Sequence, residues 1–191
     1  MALLTRLAGG GLAVAVAAGL LVCPAAAQTP GPSPTLEDEI KAAYLYNFTK
    51  FVEWPALAFP KTPSPFVICV AADASFERAV DRIVTGEKIG DRALRLVHVD
   101  GDDVAGCHVL FVGRSQQERA PRLLAAIGTA PVLTVSDAPR FLQQGGMILF
   151  VLENNRVRFD INVRAADRAG VRVSSKLLRV ARRVEPGGTP R

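Results

Sequence analysis

The chain has 191 residues, 49% hydrophobic and 21% charged, and a formal net charge of +5. That balance excludes a disordered chain and suits one ordinary globular core. Three cysteines and two histidines are too few to indicate metal-binding or cysteine-based catalysis without further partners.

In chain order, Arg6, the apolar run Leu7 to Val22 and the small residues Ala25-Ala26-Ala27 read as a secretory signal peptide over 1–27, cleaved near Ala27. The run is shorter than the roughly 20 residues of a membrane span. Cys23 follows Val22, a poor fit to a lipoprotein site, so ordinary cleavage is the reading. Residues 28–35, rich in proline, form an expected disordered lead, and residues 36–185 a single domain. Residues 186–191 are a disordered tail. Cleavage leaves Cys69 and Cys107 in an oxidising compartment, where a disulfide is the default.

Thr35 is a suitable N-cap for a helix beginning at Leu36, and Glu37, Asp38 and Glu39 suit its positive end. Leu36, Ile40, Ala43, Tyr44, Phe48, Phe51 and Val52 fall at spacings of three and four, which predicts one core-facing stripe. Pro55 predicts that this helix stops at Trp54. Phe66 to Val70 reads as a strand buried on both faces, followed by a helix through Phe76, Ala79, Val80 and Ile83. Strands are expected at 94–99, 108–112, 132–135 and 147–152, with a helix over 116–127. Glu153-Asn154-Asn155-Arg156 has hairpin-turn composition, and Val157, Phe159 and Ile161 alternate inward on the returning strand. A short helix follows Asn162, and Ser174 caps a last one through Val184. The class is α/β: a mostly parallel sheet flanked by helices on both faces, with a C-terminal antiparallel hairpin.

The residues compose no catalytic site. His98 and His108 lack a carboxylate at a suggestive spacing, and no Gly-x-Ser-x-Gly elbow is present. Asp100-Gly101-Asp102-Asp103 reads as an acidic turn, since the later glutamate of a calcium loop is missing. Gly113-Arg114-Ser115 and Ser136-Asp137 follow strands and could line one rim, where α/β sheets take small ligands. No catalytic residue, metal or cofactor is assigned. From Arg156 to Arg191 ten basic residues face three acidic ones, which favours an acidic protein face or an anionic surface over nucleic acid.

Two stretches carry a resemblance: Lys41-Ala-Ala-Tyr-Leu-Tyr-Asn-Phe-Thr-Lys-Phe-Val-Glu-Trp-Pro55, and Arg158-Phe-Asp-Ile-Asn162 with Ser174-Ser-Lys-Leu-Leu178. They resemble the YfiR/HmsC-like periplasmic proteins from about Ile40 to Val184. The resemblance implies a periplasmic α/β regulator that binds the periplasmic sensor region of a membrane-bound diguanylate cyclase. It would thereby lower cyclic-di-GMP signalling and biofilm formation. The Cys69 and Cys107 spacing agrees with a disulfide of that family. The second cysteine pair of some relatives is missing here, since no cysteine follows Cys107. Candidate partner contacts are Trp54, by burial, and the basic residues Arg179 and Arg182, by steering. The alternative is a small-ligand module feeding another membrane sensor such as a histidine kinase, and a homodimer is compatible with either.

Overall fold

The computed structural model describes residues 32–59 and 64–186. The expected signal peptide, residues 28–31 of the lead and residues 187–191 of the tail lie outside the described residues. The elements are α1 (Leu36–Phe51), β1 (Val52–Glu53), β2 (Phe66–Ala71), α2 (Ala74–Val84), β3 (Lys88–Ile89), β4 (Arg92–His98) and β5 (Val109–Val112). A 3-10 stretch, Arg114–Arg119, leads into α3 (Ala120–Ile127), followed by β6 (Leu133–Ser136), β7 (Ile148–Glu153) and β8 (Arg156–Asn162). Then come α4 (Val163–Arg168), β9 (Arg172–Val173), α5 (Ser175–Val180) and β10 (Arg183–Glu185).

The main sheet has the order β10-β8-β7-β6-β5-β2-β4-β3. Strands β4, β2, β5, β6 and β7 are parallel. This doubly wound order reverses between β2 and β5, which places the topological switch point at the ends of those two strands. β8 returns antiparallel to β7 with Phe150 opposite Phe159. Asn154 and Asn155 both take positive φ, as the tight hairpin turn requires, and asparagine tolerates that region.

Strict alternation along the strands gives the sheet two apolar faces. Ile68, Val70, Phe111, Val135, Phe150 and Phe159 lie on one, with α1, α2, α4 and α5 contributing Phe48, Val80, Ala166 and Leu177. Cys69, Leu110 and Val112 lie on the other, with Leu123 of α3 and Phe141. Each fully buried leucine or phenylalanine contributes roughly 1.5–3 kcal/mol of transfer free energy.

Three expectations are corrected. Helix α1 starts in a capping box, with Thr35 Oγ1 accepting from Asp38 N and Asp38 Oδ2 accepting from Thr35 N, but its buried face is Lys41, Ala42, Leu45, Phe48 and Thr49. Leu36 is 73% exposed and Ile40 and Phe51 are 37% exposed. Phe48 stacks on Phe150 and meets Phe159 edge-on, and Lys41 is tied to the sheet (below), so these contacts set the rotation rather than the longest apolar stripe. The helix also ends at Phe51, because β-branched Val52 pairs with Val173 across the antiparallel β1–β9 ribbon.

The last helix ends at Val180 rather than Val184. Arg182 N donates to Phe159 O at 2.8 Å, which draws 183–185 alongside β8 as the parallel strand β10. Helical periodicity at Leu177, Ala181 and Val184 was thus overridden by pairing with the sheet.

Candidate functional site

At the carboxyl end of the sheet the two predicted rim segments meet. Arg114 N donates to Asp137 Oδ1 at 2.6 Å, and the Arg114 guanidinium donates to Asp137 O at 3.3 Å. Lys41 Nζ donates to Asp137 Oδ2 at 2.6 Å and lies 2.5 Å from Glu37 Oε1. Burial alone would lower the Lys41 pKa, but the hydrogen bonds and charges of Asp137 and Glu37 outweigh it and hold the ammonium above the ordinary lysine value. Ser136 Oγ donates to Val112 O and accepts from Ala138 N. A Cβ on Gly113 would stand 2.9 Å from the Ala72 Cβ, so the loops after β2 and β5 touch at the switch point. The crevice that this topology normally offers to a ligand is occupied by the protein's own groups. Gly113, Ser136 and Asp137 are brought together, but as a joint. Lys41 was missed by the sequence reading; its signal was a charged residue between Ile40 and Ala42, inside an apolar helix.

The amino end is built differently. Trp54 lies edge-on to Phe66, with ring centroids 4.9 Å apart. Phe66 stacks on His108, and His108 on Phe59. The Arg92 guanidinium caps the stack 4.2 Å from the Phe59 centroid. The Trp54 indole N–H donates to His108 O at 3.1 Å, so this candidate contact residue spends its polar end inside the molecule. His108 is buried and its ring is committed at both nitrogens. Nδ1 accepts from Val67 N at 3.0 Å, and Nε2 lies 3.1 Å from Ala58 O. A neutral ring protonated at Nε2 satisfies both. Burial, reinforced by the Arg92 charge, lowers the His108 pKa against the opposing pull of Ala58 O.

Beside this stack opens a cavity of about 610 Å³, lined by Leu57, Ala58, Val67, Cys107, His108 and Ile127 among others. One wall is pinned by the Cys69–Cys107 disulfide, with Cα atoms 5.8 Å apart. His98, read as lacking a carboxylate, meets Glu77 of α2 at 2.9 Å, a contact across elements that spacing in sequence cannot show.

The basic C-terminal segment divides in two. Arg182 donates from Nε to Asp160 Oδ1 at 2.8 Å and from Nη2 to Asp160 Oδ2, and lies 3.5 Å from Glu153. Asp160 is buried, so Arg182 neutralises an internal carboxylate, which raises its own pKa through that bond. Arg179 is exposed. The two candidate contact arginines are therefore not equivalent. The quoted motif residues serve the framework in the same way: Asn162 caps α4 through Ala165 N, and Ser174 caps α5 through Leu177 N. Among the described residues, no three of the His, Cys, Asp and Glu side chains come together as a metal site, and no helix is long and apolar enough to cross a membrane.

A family model described as YfiR/HmsC-like matches residues 38–182. The chain belongs to the YfiR/HmsC-like family. YfiR/HmsC-like proteins are periplasmic and regulatory rather than catalytic, and the match spans both motif stretches and the disulfide. Among solved structures, a conserved domain protein from Vibrio cholerae O1 biovar El Tor matches with a TM-score of 0.53 and 10% identity, over 78% of this chain and 60% of that one. An ABC domain from Streptococcus pneumonia, solved in complex with L-Trp, matches with a TM-score of 0.53 and 9% identity over the same shares. The chain thus spans about 60% of the length of these neighbours. The likeness is one of α/β fold.

Proposed function

We propose that this YfiR/HmsC-like chain is an exported regulator that binds the periplasmic sensor region of an inner-membrane diguanylate cyclase and represses it, lowering cyclic-di-GMP output and biofilm formation. The observation that carries the reading is the family match across residues 38–182. The filled crevice supports it: Lys41 and Arg114 both already donate to Asp137 where a doubly wound sheet would bind a small substrate. A function exercised through the outer surface fits that arrangement. Deleting the gene should raise cellular cyclic-di-GMP, and restoring the exported chain should lower it again. An unchanged level in both strains would overturn the reading.

A second reading is favoured by one observation, the cavity of about 610 Å³ at the amino end, which lies within the size range of small-molecule sites. The chain would then carry a ligand signal to a membrane sensor such as a histidine kinase. A structural neighbour was solved with L-Trp, so a melting-temperature titration with L-Trp and related amphipathic small molecules is the natural test. No shift at saturating concentrations would remove this reading.

A further inference from the structure

Helix α1 presents two apolar sides, and only one of them is buried. At about 100° per residue, Tyr44, Phe51 and Ile40 project roughly 100–140° to one side of Leu45, while Tyr46 and Glu39 project by similar angles to the other. The second side is accounted for: Tyr46 bonds Glu87 and Glu39 meets Arg82 of α2. The first side turns towards β7, β8 and α5. Tyr44 touches Phe150 and Phe159 there, and Phe51 O accepts from Ser174 N at the start of α5.

The exposed apolar side chains of the neighbouring elements lie on this same face. Leu152 is two residues beyond Phe150 on β7 and is 55% exposed; Val180 ends α5 at 58% exposure. Val184 of β10 pairs in register with core-facing Ile161 and is 37% exposed. Together with Leu36 and Ile40 they account for most of the large exposed apolar side chains among the described residues. A concentration of apolar surface on one face marks an interaction site more often than scattered residues do.

The α5 rim is basic. Among the described residues no carboxylate stands within ion-pair distance of Lys176 or Arg179, whereas Arg182 beside them is already paired.

We propose that the face formed by the outer side of α1, α5 and the β7–β10 edge is the docking surface for a different protein chain. Its occupant is a segment with apolar side chains flanked by carboxylates. The proposal rests on the regulator reading above and names the surface through which that contact is made.

The test places a photoreactive phenylalanine analogue at Ile40, Val180 or, as a control at the opposite end of the sheet, Leu57, in the full chain expressed in its own cells. The expected result is an adduct at Ile40 and Val180, not at Leu57, with the exported region of a membrane sensor. Its yield should fall at least roughly tenfold with Arg179→Glu and fall with added salt. Adducts with a second copy or with lipid, an adduct at Leu57 in preference, or none at Ile40 and Val180 would overturn the surface. So would an adduct insensitive to Arg179→Glu in a variant of unchanged melting temperature. If the captured sensor is not a diguanylate cyclase, the surface stands and the cyclase reading falls.

Discussion

The two ends of the sheet solve one problem with opposite chemistry. The carboxyl end is closed by ions and amide bonds, with Lys41 held between Asp137 and Glu37. The amino end is closed by a stack of aromatic rings around a neutral imidazole, and keeps a cavity beside it. The polar closure needs its lysine protonated and the aromatic one needs its imidazole neutral, so loss of the Lys41 proton weakens the first and gain of a His108 proton weakens the second. The difference also separates fold from function: the end that related topologies use for ligands is tied up by Lys41, Asp137 and Arg114 here, so the regulation proposed above falls to the outer faces and the opposite end.

The most direct way to break the contrast is Lys41→Ala. It leaves the Asp137 carboxylate partly buried beside Arg114, and should cost about 3–5 kcal/mol in denaturant unfolding. Adding Asp137→Asn to Lys41→Ala should recover part of that loss; a purely additive double variant would show that the ion pair is not coupled. Removing the disulfide with Cys69→Ser and Cys107→Ser opens a loop with a separation of 38 residues and should cost about 2–4 kcal/mol. The loss should be accompanied by faster hydrogen exchange around the cavity wall. Gly113→Ala wedges a methyl group against Ala72 at the switch point and should cost about 1–3 kcal/mol, because the neighbour it meets is a short, fixed side chain. A neutral result would mean that the loops after β2 and β5 separate freely.

The smallest effect is the pH dependence, and it distinguishes the two ends. The native pKa of His108 is lowered, so its contribution is full above about 6.5, the unfolded value, and is lost as pH falls through the native value. The native pKa of Lys41 is raised, so its contribution is full below about 10.5 and is lost as pH rises through the native value. Unfolding followed by Trp54 fluorescence should therefore show stability falling below about pH 6.5. In a His108→Gln variant that acid limb should flatten. An unchanged slope would place the titrating group elsewhere.

Much of this was legible in the chain. Continuous apolar runs gave the central strands, and Asn154-Asn155 gave the hairpin, because both signals are local. The rotation of α1 was not legible, because two apolar stripes compete on that helix and only the positions of Phe150, Phe159 and Asp137 decide between them. Nor was the Arg182 clamp: Arg179 and Arg182 look alike in sequence, and a carboxylate 22 residues upstream tells them apart. The Trp54 indole was readable as a turn residue at the helix exit, but its acceptor, the His108 carbonyl, comes 54 positions later.

Strand β10 bears on the order in which the molecule can be completed. Asp160 is buried and needs Arg182, and β8 gains its outer neighbour only from Arg183 to Glu185. A chain emerging amino end first therefore carries an uncompensated carboxylate and an open strand edge until Arg182 to Glu185 are free. Everything from α1 to β8 can assemble earlier, but the fold closes only when Arg182 to Glu185 join it, so loss of those four residues would leave a partly assembled domain rather than a slightly trimmed one.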